Sequence, residues 1–545
     1  APPAVAPVAP PAAAPASDAM SLGRSSAVMA AGTFLSRITG FARVLAVTTV
    51  LGVNGLGDAY NYANSIPNII FDLLIGGILS ATLVPVFVEE LNRRDRREAR
   101  RAVSAIVTVI GAALIAVSVL LYLLAPYVIR FYLLANNQTT KADESAVATS
   151  LLHLFAPQVF FIGTIVVSTA LLNARRRFAA AAFSPVINNL IAIAAIGVTS
   201  ATASQLAIGP LRHQPRVILV LGLGTTLGYA VQLLVQIPPM RRAGLSLRPV
   251  WDIHHPAVRK VLGLSAWLVG VVVTNQISLN VILVLAGHKS GGATAYTTAY
   301  QFFQLPYALF TVSVASALTP DLAERWTRRD RRGFSRRMIY GLRVTLGVLV
   351  PAAAGYAVVA GPLIDLAVRH GHVSADGAHQ ISSSLALFAI GLPGFSAFVL
   401  LMRGFQAMQD TRAMFWMYAL ENALSLVAAV ILYPLLGVKG LAIAWVGPYT
   451  IAAVAAAVRL GRRTGTLGGA LTIRALWRIA LAGAVMVVAL VAVGRVLPHG
   501  GSDARLVLRL LGQLVVGTAA YLGAARLLGI EEIQPVLRLA RRLRR

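Results

Sequence analysis

The stretch PVFVEELNRRDRREARR at residues 85–101 returns 235 residues later as PDLAERWTRRDRRGFSR at 320–336, and this recurrence decides how the chain is read. Pro85 and Pro320, Glu89 and Glu324, the pentapeptide RRDRR at 93–97 and 328–332, and Arg101 and Arg336 all keep their places. The same offset pairs Arg177 with Arg412, while Asn188 and Asn422 lie one residue off it. A shared basic pentapeptide alone would mean little in so Arg-rich a chain. Agreement of the flanking Pro and Glu and of the distant arginine makes the match a repeat.

Each copy follows a long apolar run. Of 545 residues, 57% are hydrophobic and 12% charged, and the mean hydropathy is +0.73. A soluble domain needs more polar surface than that, so lipid is the solvent for most of the chain. A helical span takes roughly 20 apolar residues. Fourteen such spans are expected, at about 27–53, 59–91, 103–133, 146–172, 180–201, 216–238, 257–287, 292–320, 338–368, 379–407, 414–434, 438–458, 475–497 and 506–529. These are unbroken runs, not ten-residue alternating strands, so a β-barrel is excluded.

The loops test the count. Every second one is basic, with six arginines at 92–101, three at 173–178 and seven at 321–337, whereas 435–437 has none. Basic loops stay on the cytoplasmic side, so both termini are expected there. The net charge of +28, with 44 Arg against 4 Lys, is therefore a loop signature and does not point to nucleic acid. There is no cysteine, which rules out disulfides and thiolate chemistry.

The repeat unit spans six helices, and an even number preserves orientation, so the halves are parallel repeats. The expected organisation is an all-α polytopic membrane protein. A disordered Pro/Ala-rich tail at 1–26 precedes a first lobe at 27–238 and a second at 239–459. Two added helices at 460–530 and a basic tail at 531–545 complete it. Two lobes around a central cavity are the architecture of alternating-access transport.

Ionisable groups at membrane depth usually face a cavity or a partner. Span 1 carries Arg37 and Arg43, six positions and roughly 120° apart on a helix, so one wide face presents both. They form a cationic patch for an anionic head group, or they snorkel or pair with Asp58 or Asp72. In span 2, Asn64, Asn68 and Asp72 at i, i+4 and i+8 form one polar stripe. Asp72 is either a coupling-ion site or the partner of a span 1 arginine. Asn275, Gln276, Ser278 and Asn280 are unusually dense in span 7 and, with Gln301 and Gln304 in span 8, suit a hydrogen-bonding lining for a sugar or peptide. Asn188, Asn189, Glu421 and Asn422 read first as helix–helix glue. The offset from Arg37 and Arg43 lands on Val272 and Ser278, so the cavity should be electrostatically lopsided. Enzyme motifs are absent, and no catalytic residue, metal or cofactor is expected.

Taken in order, LSRITGFAR at 35–43, Gly57-Asp58-Ala59, SIPNII at 65–70, LVPVF at 83–87, LLNARRRF at 171–178, FSPVINN at 183–189 and NQIS at 275–278 resemble the MurJ (MviN) family. That resemblance implies a flippase of the multidrug/oligosaccharidyl-lipid/polysaccharide exporter superfamily in the bacterial plasma membrane. Its substrate would be lipid II, the undecaprenyl-pyrophosphate-linked disaccharide-pentapeptide of peptidoglycan synthesis. It implies roles for Arg37, Arg43 and Asp58, a polyprenyl-tail groove in spans 13–14, a monomer, and contacts with membrane lipid and cell-wall synthesis proteins. The chain departs from many members at Phe71 and Asp72, where they carry paired arginines, at Gln301, an arginine in them, and at Gly76, a glutamate. An exporter of another polyprenyl-linked glycan, a drug/cation antiporter and a non-transporting assembly scaffold are the alternatives.

Overall fold

The computed structural model describes residues 16–73, 83–91, 95–134, 141–175, 177–245, 248–465, 469–497 and 503–530. Every regular element among them is helical. A first bundle comprises α1 (Ala16–Leu51), α2 (Gly55–Leu73), α3 (Val84–Leu91), α4 (Arg96–Tyr132), α5 (Lys141–Phe155), α6 (Gln158–Ala174), α7 (Phe178–Thr202), α8 (Ile208–Arg212) and α9 (Pro215–Arg242). A second comprises α10 (Pro256–Ala286), α11 (Gly292–Pro306), α12 (Val312–Thr327), α13 (Arg331–Val368), α14 (Ala375–Ala407), α15 (Thr411–Leu436) and α16 (Val438–Thr464). The hairpin of α17 (Gly469–Val496) and α18 (Asp503–Leu527) follows and packs on α13.

Twelve helical stretches among the described residues are long and apolar enough to cross a membrane. They coincide with twelve of the fourteen spans expected from sequence. The other two, spans 2 and 7, are helical as α2 and α10. In hydrocarbon a backbone must satisfy its own hydrogen bonds, and helices do so. The chain is a multi-pass membrane protein.

The repeated RRDRR has a local physical cause. Asp95 is the N-cap of α4, its side chain accepting from the Arg97 and Glu98 N–H groups. Asp330 caps α13 by accepting from Gly333 N. That Gly333 N–H, with Arg325 beside it, holds the Asp330 carboxyl below the ordinary carboxylate range. Arg329 just before it is left-handed, at φ 58°. Gln409 repeats this at φ 58° before Asp410, the N-cap of α15, which accepts from Ala413 N and pairs with Arg463. One left-handed residue followed by an Asp cap ends one helix and starts the next within a few residues.

The structure differs from the sequence expectation in three places. Residues 16–26, expected in a disordered tail, begin α1; the Pro-rich composition stops at Pro15, and nothing after it bars a helix. Span 4 is broken at Ala156–Pro157 between α5 and α6, because proline cannot donate in a helix interior. Span 8 passes through a π-helical turn at Tyr307–Thr311 directly after Pro306.

Small residues let the helices approach. A Cβ on Gly391 would overlap Val446, and one on Gly394 would meet Thr450 Cα at 3.1 Å, across the α14–α16 crossing. Gly391→Val should therefore lower stability by about 1–3 kcal/mol through overpacking. Gly447→Ala, next to the same contact but facing open space, should be neutral or gain up to about 1 kcal/mol in helix propensity. Thermal unfolding of the purified protein, read by fluorescence, checks the pair.

Candidate functional site

A cavity of about 2260 Å³ lies between the two bundles. That is more than twice the roughly 1,000 Å³ upper end of ordinary small-molecule pockets. One wall is α1, α2 and α7, presenting Arg37, Arg43, Asn64, Asn68, Asn188 and Asn189. The facing wall is α10 and α11, presenting Gln276, Asn280, Gln301 and Gln304. The first wall carries the charge and the second offers neutral amides.

The Arg43 guanidinium lies 6.0 Å from the Tyr229 ring centroid, a cation–π distance, with Tyr60 also beside it. Arg37 is exposed on the cavity wall, two turns away along α1. Among the described residues neither arginine forms an ion pair. Asp72 is a member of the sequence-derived stripe, but its side chain lies outside the described residues. Asn189 also reaches from α7 to α1, donating to Ser36 O at 3.3 Å and Thr39 Oγ1 at 3.1 Å. This amide holds the arginine-bearing helix in place.

Two of the sequence-derived candidates are placed elsewhere. Asn275 is off the cavity and accepts from Asn422 Nδ2 at 2.6 Å, so it joins α10 to α15. Asp58 is 1% exposed and does not touch the arginines. Its Oδ1 accepts from Thr294 N at 2.7 Å and Thr294 Oγ1 at 2.8 Å, and its Oδ2 from Gly291 N at 2.7 Å. Asp58 thus caps α11 from the other bundle, placing an anion at the positive end of a helix. Gly291 is left-handed at φ 81°, and a Cβ there would overlap Val53 O, so this approach requires glycine.

Further contacts surround that cap. Thr48 and Thr298 hydroxyls are 3.0 Å apart, and Asn61 Nδ2 donates to Thr294 Oγ1 at 3.0 Å. His372 N donates to Thr49 O at 2.9 Å. Nearby, Tyr132 Oη is hydrogen-bonded to Asn280 Oδ1 and to Ser65 Oγ, joining α4, α10 and α2. The bundles are closed together at this end. The cavity runs from Thr48 and Thr298 away from it, toward Met29, Ala181 and Ser316, where the basic turns lie.

Sequence reasoning missed Tyr60 and Tyr229, whose positions carry no charge or motif to mark them, while Asn280, one of the dense polar group of span 7, does line the cavity. It also missed how far the cavity extends. Between α1 and α12 it continues along Pro351, Gly355 and Leu363 of α13, Leu490 of α17, and Leu510 and Leu514 of α18. This extension is apolar.

A family model described as "Lipid II flippase MurJ" matches residues 47–504. The "Probable lipid II flippase MurJ" of Vibrio cholerae is 27% identical over 522 residues, covering 93% of this chain and 96% of the relative. That of Haemophilus influenzae is 28% identical, covering 70% of this chain and 75% of the relative. Among solved structures, "Lipid II flippase MurJ, inward closed conformation" superposes with a TM-score of 0.74 at 20% identity, covering 93% of this chain and 99% of that one. An inward-facing multidrug resistance MATE family transporter of the MOP superfamily gives 0.63 at 14% identity, covering 79% and 95%. The structural likenesses bear on the fold.

Asp58→Ala should leave the Gly291 and Thr294 donors unpaired, each at a cost of about 1–3 kcal/mol. The closed end should then part more often. Maleimide labelling of a cysteine placed at Thr298 should rise at least about tenfold, the equivalent of 1.4 kcal/mol.

Proposed function

The chain belongs to the lipid II flippase MurJ family, and on that premise we propose that it moves lipid II from the inner to the outer leaflet of the bacterial plasma membrane by alternating access. The observation that carries this reading is the pair of guanidinium groups, Arg37 and Arg43, without ion-pair partners among the described residues, on the wall of a closed-ended cavity that continues into an apolar groove. Lipid II has the matching three parts. Its pyrophosphate suits Arg37 and Arg43, since guanidinium binds phosphate oxygens two at a time. Its disaccharide-pentapeptide suits the amides of Asn64, Asn68, Gln276, Gln301 and Gln304. Its polyprenyl chain suits the groove of α13, α17 and α18, where it stays in apolar surroundings while the head crosses.

Basic loops mark the cytoplasmic side, which puts both termini there and the Asp58 cap at the outer face. The cavity then opens inward and takes up the head group from the inner leaflet. Parting of the bundles at Asp58, with closure at the basic ends, releases it outside. The protein acts as a monomer, and the two bundles are its moving lobes. Cell-wall synthesis proteins that consume lipid II are its neighbours in function. Asp58 serves the reading as a latch between lobes and Asn275 as a brace within one, while direct contact with the head group falls to the cavity residues.

The test is rescue of a bacterium depleted of its own flippase. The wild-type chain should restore growth. Arg43→Ala should lose a charge-assisted contact of about 1.5–3 kcal/mol, roughly ten- to hundredfold in apparent affinity, and fail at native expression. Arg43→Lys should rescue in part, keeping the charge without the fork. Equal rescue by wild type, Arg37→Ala and Arg43→Ala would remove the cationic patch from the mechanism.

A further inference from the structure

Glu421 on α15 is 1% exposed inside the second bundle. Its Oε1 accepts from Ser425 Oγ at 2.9 Å, and among the described residues its Oε2 has no hydrogen-bond partner. The groups that face it are phenols: Tyr296 from α11, Tyr418 from α15 and Tyr449 from α16. Tyr300 of α11 acts on Tyr449. The Tyr449 hydroxyl lies close to the carboxyl but makes no well-aligned bond with it. Arg403 of α14 acts on Tyr418 and Tyr307, but among the described residues no basic group forms an ion pair with Glu421.

An ionised carboxylate with no counter-charge at this depth is among the costliest groups a membrane protein can hold. A neutral carboxyl group is not. Helix–helix glue, the first reading of Glu421 from sequence, accounts for no counter-charge, and among the described residues the only hydrogen bond the carboxyl accepts is from Ser425 of its own helix. The repeat supplies no structural reason for it either, since the offset of 235 lands on Val186. A metal ion would need several oxygens, yet the Asn275 carbonyl is taken by Asn422 and Ser425 by Glu421 itself. A proton needs one oxygen, and Oε2 is the one left over. Tyr296 and Tyr300 also line the cavity, and the Tyr296 hydroxyl has no partner. One layer of phenols therefore separates Glu421 from cavity water.

We propose that Glu421 is a proton-binding site whose occupancy is linked to the rocking of the two bundles, an inference that rests on the alternating-access reading above. With the proton on Oε2, the second bundle closes around a neutral group. Loss of the proton breaks the Oε2–H bond, leaves the electron pair on the carboxylate and passes H⁺ along the Tyr296 and Tyr300 hydroxyls to water. The resulting anion requires hydration, which this packing does not supply, so the closed arrangement is favoured at low pH and lost as pH rises.

The test uses the full chain in vesicles, without lipid II, with a cysteine at Thr298 reporting on the closed end. Its maleimide labelling rate is divided by that of an exposed cysteine at Trp251 to remove the thiol's own pH dependence. The normalised rate should rise with pH by up to about tenfold per unit, the limit for one linked proton. Glu421→Gln, a neutral mimic, should hold the rate low at every pH. Glu421→Asp, which keeps an ionisable group, should keep the slope with a moved midpoint. Asp58→Asn, altering the buried carboxylate of the closed end, should raise the baseline and keep the slope. The proposal is overturned if Glu421→Gln titrates like its parent, if Asp58→Asn abolishes the slope, if the parent shows none, or if exchanging sodium for potassium at fixed pH changes the rate. No lipid II enters this measurement, so its failure leaves the flippase reading standing, and failure of Arg43 in growth rescue leaves this proposal standing.

Discussion

Asp58 reaches from α2 across the boundary between bundles and accepts three hydrogen bonds at the start of α11. A buried carboxylate is tolerated when hydrogen bonds replace its water, and hydrogen bonds to a charged group contribute about 1.5–3 kcal/mol each. The helix dipole adds to them. This contact has two alternatives, made or hydrated, and little between. On the proposed alternating-access cycle this contact is the latch, and it lies at the closed end of the cavity. Gly291 and the facing Thr48 and Thr298 complete a seam narrow enough to close on backbone atoms.

Behind that seam the two walls of the cavity differ in character. Both cavity arginines come from α1, so charge is concentrated on one side, as the missing counterparts at Val272 and Ser278 imply. The amides of α10 and α11 oppose them without competing for an anion. The apolar extension along α13, α17 and α18 begins where α1 and α12 diverge. On the proposed function, the head group would lie among the polar side chains of the two walls and its tail along the apolar extension.

Much of the fold was legible because lipid imposes length and loops carry charge. The RRDRR repeat was legible as a repeat, and the caps at Asp95 and Asp330 show why each copy sits where one helix ends and the next begins. Arg37 and Arg43 were legible because a guanidinium in an apolar run must have a purpose. The partner of Asp58 was not, since Thr294 is 236 residues away and nothing local to Gly57-Asp58-Ala59 names it. Asn275 and Gln276 are adjacent in sequence, yet Gln276 lines the cavity and Asn275 bonds Asn422, because each residue turns the helix by about 100°. Glu421 looked like glue beside Asn422, and only its unpaired oxygen sets it apart. The break at Pro157 and the π turn after Pro306 were hidden inside runs whose hydropathy never falls.

The claim on which all else rests is that the bundles must part at the latched end for each lipid molecule to cross. Thr48 and Thr298 already touch through their hydroxyls, close enough for a disulfide between cysteines placed there. In vesicles containing lipid II, the rate at which its head group becomes accessible to an external probe is measured for this double-cysteine chain before oxidation, after oxidation and after reduction. Oxidation is expected to abolish the appearance of lipid II outside, and reduction to restore it. An undiminished rate in the fully cross-linked protein would contradict alternating access through this seam.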